Sequence, residues 1–133
     1  MSVSFIDSNV ILYLLDNGPK ATIAESVIRE GGIISVQVLN ECLSKLRRKS
    51  KLNFHECNRF LYAIRNLVEV VPMTIETHDL GRAIAEKYQL SIFDSMIIAS
   101  ALTSGCEKIF SEDMQHAMVI EGFTTIENPF RDL

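Results

Sequence analysis

The stretch that decides the fold is the N-terminal one, MSVSFIDSNVILYLL over residues 1–15. Its short apolar run Val3–Ile6 predicts a strand, an acidic residue, Asp7, follows directly, and a second apolar run predicts a helix over Asn9–Leu15. Asp7 can cap that helix, because short polar side chains accept hydrogen bonds from the free N–H groups of a first turn. It can also face a functional site. The choice depends on whether other acidic residues occupy equivalent places.

Length and composition limit the possible classes of protein. The 133 residues suit one compact domain, so we expect a single domain over residues 1–133. Hydrophobic residues make up 47% of the chain and charged residues 23%, which excludes a disordered or fibrous chain. The net charge of −4 argues against nucleic-acid binding through overall charge, although it leaves room for a local basic patch.

The cysteines and the apolar runs indicate the cellular setting. Cys42, Cys57 and Cys106 are far apart and form no CxxC pair, which excludes a disulfide framework and a cysteine zinc site. The sequence carries no recognisable signal peptide and no apolar run of membrane-spanning length. We therefore expect a soluble, cytoplasmic protein that does not contact a membrane.

Strand-like and helix-like segments alternate along the chain. The predicted strands are Val3–Ile6, Gly32–Ser35, Val68–Met73, Lys108–Phe110 and Phe123–Glu127. Between them, apolar residues recur at helical spacing, and the segment Ser95–Thr103 is apolar nearly all round, which predicts a buried helix. Such alternation favours right-handed βαβ units. The predicted fold is α/β, a three-layer α/β/α sandwich with a central parallel sheet.

Four acidic residues fall near the same edge of that sheet. Asp7 follows the first strand, Asp113 comes three residues after the fourth, Glu41 lies early in the helix after the second, and Asp94 opens the buried helix. In open α/β sheets, ligands bind beyond the carboxyl ends of the strands. These residues from distant parts of the chain are therefore candidates for one site.

Each acidic residue also has a purely structural explanation. Asp7 and Asp113 can cap a helix or a turn, and Glu41 can pair with Lys45 one turn later. Asp94 can favour a helix N-terminus, but Ile92 and Phe93 before it and the apolar residues after it place it against the core. A buried charge needs a partner, and no Lys or Arg occurs between residues 87 and 108. Asp94 is the acid that a structural role explains least well.

Clustered carboxylates repel one another unless cations join them. Oxygen ligands suit hard ions such as Mg²⁺ or Mn²⁺ and do not suit zinc or copper. One ion, or two roughly 3.5–4 Å apart, can activate water and stabilise the oxygens of a phosphodiester in displacement. The pattern predicts metal-assisted phosphodiester hydrolysis.

Four segments together resemble the PIN domain, and more specifically the VapC-type ribonuclease toxins of toxin–antitoxin pairs. They are FIDSNV (5–10), SVQVLNECL (35–43), LSIFDSMIIASAL (90–102) and IFSEDMQHAMVIEG (109–122). The resemblance extends from Asp7 to the last predicted strand near Thr125. It implies a Mg²⁺-dependent endoribonuclease, with Mn²⁺ as the other candidate ion, that leaves a 3′ hydroxyl and a 5′ phosphate. The implied partners are an RNA substrate, a small antitoxin protein and a second copy of the chain in a homodimer, for which Val10–Leu15 is a candidate surface.

The resemblance also implies roles for individual residues. The catalytic residues and metal ligands map to Asp7, Glu41, Asp94 and Asp113, and Asn9 and Ser111 match polar positions that orient ligands or water. This chain has a further acid, Glu112, so either Glu112 or Asp113 could face the metal. The distance from Ser111 along the chain favours Asp113.

A basic run, KLRRKSK over residues 45–51, follows Glu41 on the same predicted helix. It can be a solvated helix end whose charges oppose the helix dipole. It can also contact RNA phosphates next to the acidic residues, which makes binding sensitive to salt. The candidates for such contacts are Lys45, Arg47, Arg48 and Lys49.

Two other functions remain open at this point. One is phosphoryl transfer through an aspartyl-phosphate at Asp7. It fits poorly, because Asn9 stands where such phosphatases have a second acid and Lys108 lies at the wrong end of its strand. The other is a PIN-like binding module without catalytic activity, which the presence of all four acids disfavours.

Overall fold

A computed structural model describes residues 3–133 of the chain, and within them the strands form one six-stranded sheet in the order β3-β2-β1-β4-β6-β5. Five strands are parallel, and the short edge strand β5 runs antiparallel to β6. The strands are β1 (Ser4–Ile6), β2 (Ile33–Ser35), β3 (Glu69–Val71), β4 (Lys108–Phe110), β5 (Val119–Ile120) and β6 (Thr124–Glu127).

Polar residues fix where most of the helices begin. The side chains of Ser35, Thr74 and Ser91 each accept a hydrogen bond from the first turn that follows, and Asn53 forms a capping box with Glu56. The helices are α1 (Ser8–Leu12), continued by a 3₁₀ turn (Tyr13–Leu15), α2 (Pro19–Arg29), α3 (Val36–Arg48), α4 (Phe54–Arg65), α5 (Ile75–Tyr88) and α6 (Ile92–Thr103).

The order of the strands places a reversal of direction beside β1. From β1 the chain adds β2 and then β3 on one side, and after α5 and α6 it returns to add β4 on the other side of β1. Right-handed crossovers that run in opposite directions put their helices on opposite faces of the sheet. This arrangement confirms the predicted three-layer α/β fold. It also creates a point between β1 and β4 where the ends of two strands diverge, which is where ligands bind in such sheets.

Helix α6 is the central helix of the core. Its residues 95–101 are all buried, as the apolar sequence predicts, and the helix contacts both β2 and β4. Ile92 and Phe93, however, are 54% and 68% exposed and Asp94 is half-buried, so the expectation that these neighbours place Asp94 against the core holds only in part. All three residues lie in the first turn of α6.

The predicted helices and strands are largely confirmed, and the differences lie in short helices and strands. The predicted helix Asn9–Leu15 divides into α1 and the 3₁₀ turn, and β5 was not predicted because it has only two residues. Within the segment proposed as a dimer surface, Val10 and Ile11 belong to the core, and Leu15 is the exposed apolar residue.

All three cysteines lie in the interior of the protein. Cys42, Cys57 and Cys106 are free and buried, and burial raises the pKa of the Cys42 thiol to about 12, so that thiol is unreactive.

In the part of the chain from residue 3 onward, no helix is long and apolar enough to cross a membrane.

The close approach of β1 and β2 can be tested at Gly32. A Cβ atom there would lie 2.6 Å from Ile6 Cδ1 and 3.1 Å from the Ser4 carbonyl oxygen. Because Ile6 is fully buried, we expect Gly32→Ala to lower the free energy of unfolding by about 1–3 kcal/mol in urea denaturation. The cost should be smaller in an Ile6→Val background, which lacks the Cδ1 methyl. Equal costs in both backgrounds would contradict this explanation.

Candidate metal and RNA site

Asp7 joins the carboxyl ends of β1 and β4. Its backbone N–H donates to the Phe110 carbonyl oxygen at 2.9 Å, and its Oδ1 accepts a hydrogen bond from the Ser8 N–H at 2.7 Å. Its Oδ2 accepts one from Ser111 Oγ at 2.9 Å, and the residue is only 4% exposed. Asp7 therefore caps α1 and also belongs to a polar network between the two strands, whereas its role in a functional site stays a prediction.

Asn9 links the two strand ends a second time. Its Nδ2 donates to Asp7 Oδ2 at 3.3 Å and to Asp113 Oδ2 at 3.1 Å. Its Oδ1 accepts a hydrogen bond from the Glu112 N–H at 3.0 Å. Asn9 thus fixes the separation of the carboxylates that follow β1 and β4. The positions of Asn9 and Ser111 suit the orienting role predicted for them.

Glu41 is held by two residues that sequence reasoning missed. Ser8 Oγ donates to Glu41 Oε1 at 3.1 Å, and Gln37 Nε2 donates to Oε2 at 3.4 Å. Among the ion pairs of residues 3–133, none joins Glu41 to Lys45, so the structure does not have the surface pair that the sequence allowed. Gln37 precedes Glu41 by one helical turn, which is a signal that sequence inspection could have used.

Asp94 lies in the first turn of α6, where its N–H donates to Ser91 Oγ at 3.2 Å. The side chain is half-buried, and over residues 3–133 no cation forms an ion pair with it. Gln37 Nε2 donates to the Phe93 carbonyl oxygen at 3.2 Å, which ties the start of α6 to α3.

All four predicted carboxylates line one open cleft of about 600 Å³, which we call the acid cleft. Basic and apolar side chains complete its walls, among them Lys45, Arg48, Val36, Met73 and Phe93. The four carboxylates are those of Asp7, Glu41, Asp94 and Asp113. The structure thus brings together acids that are up to 106 positions apart in the sequence.

The oxygen donors of the acid cleft suit a hydrated hard cation. Within residues 3–133, no three His, Cys, Asp or Glu side chains lie close enough to form a ready-made metal cage. Mg²⁺ commonly keeps several of its waters and binds through only one or two carboxylates, so it does not need such a cage. The residues present therefore fit a divalent cation that keeps part of its hydration shell.

The charge state of Asp7 reflects its surroundings. Burial raises the pKa of its carboxyl group to about 6, although hydrogen bonds from Ser111 and Ser8 oppose the rise. The negative charges of Glu41 and Asp94 raise it further. An added cation would offset both the burial and the repulsion.

Glu112 and Asp113 have different surroundings. Glu112 forms an ion pair with Lys20 and accepts a hydrogen bond from the Tyr13 hydroxyl at 2.5 Å. Asp113 is exposed, lines the acid cleft and contacts Asn9. Asp113 therefore lines the acid cleft and Glu112 does not, and the contact between Asp113 and a metal stays a prediction.

The side chains of the basic run 45–51 have different surroundings. Lys45 and Arg48 line the acid cleft, and Lys49 lines a neighbouring cavity described below. Arg47, predicted to contact RNA, donates to the Leu52 carbonyl oxygen at 3.0 Å, and its guanidinium lies 4.2 Å from the centre of the Phe54 ring. Arg47 thus stabilises the connection between α3 and α4.

Comparisons with known proteins agree with the fold. Residues 4–119 match the family model described as PIN domain. No curated protein is significantly similar to the chain.

Several solved structures share the fold. A toxin–antitoxin complex from Klebsiella pneumoniae superimposes with a TM-score of 0.74 at 16% identity, over 96% of this chain and 98% of that one. Mycobacterium tuberculosis VapC20, described as a sarcin–ricin loop cleaving toxin, gives 0.70 at 19% identity over 89% and 97%. DNA-bound VapBC from Salmonella typhimurium gives 0.71 at 17% identity over 97% and 99%.

The raised pKa of Asp7 has a consequence for stability. Between about pH 4 and pH 6 the folded protein keeps a proton on Asp7 that the unfolded chain has lost, so folding stability falls as the pH rises through this interval. Asp7→Asn removes this term. We expect the variant, measured by urea denaturation in EDTA, to be more stable than wild type by roughly 2–3 kcal/mol at pH 7.5 and by much less near pH 4.

A matched control is Asp132→Asn, which changes an exposed carboxylate outside the acid cleft. It should leave stability unchanged at both pH values. A difference between wild type and Asp7→Asn that does not vary with pH would contradict the assignment of the proton to Asp7.

Proposed function

Because the chain belongs to the PIN domain family, we propose that it is a divalent-metal-dependent endoribonuclease and the toxin of a toxin–antitoxin pair. One observation carries the proposal: carboxylates from four distant parts of the chain line a single open cleft, together with cations from the end of α3. Acids alone could be structural, and cations alone could be a solvated helix end. Their combination in one cleft suits a phosphodiester substrate and a metal ion that would assist its hydrolysis.

Asp7, Glu41, Asp94 and Asp113 would hold the metal, Mg²⁺ or Mn²⁺, in part through its bound waters. When bound, such an ion activates water and stabilises charge on the phosphodiester oxygens. The protein's own contribution is to fix the donors: Ser111 and Asn9 orient Asp7 and Asp113, while Ser8 and Gln37 orient Glu41. These hydrogen bonds keep the carboxylates at the cleft, although their mutual repulsion favours a larger separation.

Lys45 and Arg48 supply the contacts to the RNA backbone. Both line the acid cleft, where they place positive charge beside the carboxylates. The exposed ring of Phe93 lies on the same lining and offers a surface on which a base can stack. Because the cleft is open and the protein's net charge is −4, binding depends on this local patch and is sensitive to salt.

An antitoxin partner is part of the proposal. Structures that share the fold include toxin–antitoxin and VapBC complexes. A small antitoxin could cover the acid cleft and its apolar rim of Val36, Met73 and Phe93. A homodimer, as the family resemblance implies, belongs to the same proposal.

The aspartyl-phosphate alternative gains no support from the arrangement of lysines. Lys108 is the first residue of β4, so it lies at the edge of the sheet opposite to Asp7. Its Nζ forms an ion pair with Glu127 Oε1 at 3.2 Å. It cannot assist chemistry at Asp7 from that position.

Metal dependence can be tested with Asp94→Asn. We expect RNA cleavage in Mg²⁺ or Mn²⁺ that EDTA abolishes, and a fall in kcat of at least about 100-fold in the variant, because it removes a metal ligand. Mn²⁺ should also raise the Tm of wild type more than that of Asp94→Asn. Asp132→Asn should match wild type in both measurements. Cleavage that persists in EDTA, or full activity in Asp94→Asn, would rule out the proposed mechanism.

The role of Arg48 can be separated from that of general charge. Using the Asp94→Asn background to prevent cleavage, we expect Arg48→Gln to weaken binding of single-stranded RNA about fivefold and to reduce the slope of log K against log salt by about 1. Arg59→Gln removes the same charge from an exposed position on α4 that lines neither cleft. Identical salt slopes in the two variants would show that Arg48 makes no specific phosphate contact.

A further inference from the structure

A second cleft of about 440 Å³ adjoins the acid cleft. The two share Asn9, Lys45 and Asp113, so the wall between them is formed by residues of the candidate site itself. Its volume lies within the range of small-molecule binding sites. A strand of RNA whose reacting phosphate lay at the carboxylates would place a neighbouring nucleotide here.

Basic and acidic side chains from different parts of the chain line the second cleft. Lys45 and Lys49 come from the C-terminal end of α3, whereas Asp16 follows the 3₁₀ turn. Glu112 also lines the cleft, but its carboxylate is already paired with Lys20. Across residues 3–133, neither Asp16 nor Asp113 forms an ion pair. Asp113 accepts a hydrogen bond from Asn9 and belongs to the candidate metal site, so Asp16 is the carboxylate left to accept hydrogen bonds from a ligand.

Apolar side chains complete the lining between these charges. Leu12, Leu15 and Leu46 contribute to it, together with the ring of Tyr13. Leu15 is 48% exposed, which is a large exposed fraction for a leucine beside charged residues. The lysines suit the phosphate of a nucleotide, and the apolar side chains suit the face of its base. The Asp16 carboxylate suits the polar edge of the base.

We propose that the second cleft binds the nucleotide adjacent to the scissile phosphate and discriminates against uracil. Lys49 contacts the phosphate, Leu12 and Leu15 pack on the base, and the Asp16 carboxylate accepts a hydrogen bond from an exocyclic amino group. Adenine, cytosine and guanine carry such a group. The pairing edge of uracil has one N–H between two carbonyl oxygens, which a carboxylate repels. This inference rests on the proposed ribonuclease function.

The test uses a random-sequence pool of single-stranded RNA, cleaved by wild type, Asp16→Asn, Lys49→Gln and Lys51→Gln, with sequencing of the product ends. Wild type should disfavour uracil about tenfold at one position next to the cut. Asp16→Asn should relax the preference at that position alone, because an amide both donates and accepts hydrogen bonds. A role in general stability would not produce a change confined to one position.

Lysine substitutions supply the second readout. Lys49→Gln should raise KM about fivefold without a change in kcat, because it removes a phosphate contact and leaves the metal ligands in place. Lys51→Gln is the matched control, since Lys51 is exposed, lies two residues away and lines neither cleft.

The outcomes separate this inference from the function on which it rests. If cleavage is sensitive to EDTA but Asp16→Asn keeps the wild-type base preference, or Lys49→Gln behaves as Lys51→Gln does, the second cleft is not a nucleotide subsite. If wild type cleaves no RNA in Mg²⁺ or Mn²⁺, the proposed ribonuclease function fails and the subsite fails with it.

Discussion

The parallel pairing of β1 with β4 is the contact on which the candidate site depends. The register pairs Ile6 with Phe110, so the next residues, Asp7 and Ser111, leave the sheet side by side and form a hydrogen bond. A shift of one residue would turn alternate side chains to the opposite face and separate the two. The same pairing lies where the direction of chain crossover reverses, which opens space for a ligand. The sheet topology and the hydrogen bonds therefore both place the candidate site between the ends of β1 and β4.

The cost of this arrangement falls on Asp7. A carboxylate that is 4% exposed loses most of its hydration, and the charges of Glu41 and Asp94 add repulsion. The hydrogen bonds from Ser111 and Ser8 recover only part of the lost free energy, which is why its pKa stays raised. Residues that destabilise a fold while they complete a cleft are typical of functional sites. A metal bound there would convert the destabilising charge into a favourable contact.

The sequence predicted the features that depend on periodicity and on position after a strand. The bounds of β4 match the prediction, and the acids Asp7 and Asp113 lie at the edge where a parallel sheet must place them. It could not predict contacts set by tertiary packing. The apolar neighbours of Asp94 predicted that it lies against the core, and charge alone grouped Arg47 with its neighbours. Phe93 beside Asp94 is exposed, however, and Arg47 lies over an aromatic ring. Side-chain direction, which composition does not encode, decides both cases.

Helix α3 shows how a chain of net charge −4 can present both acid and base to one substrate. Glu41, Lys45, Arg48 and Lys49 follow helical spacing, so they share one side of the helix. A glutamate and a lysine four residues apart would ordinarily pair. Here Ser8 and Gln37 occupy both carboxylate oxygens of Glu41, which leaves Lys45 where the acid cleft meets the second cleft. Because charges interact strongly only within about 10 Å in salt, such local placement outweighs the sign of the whole molecule.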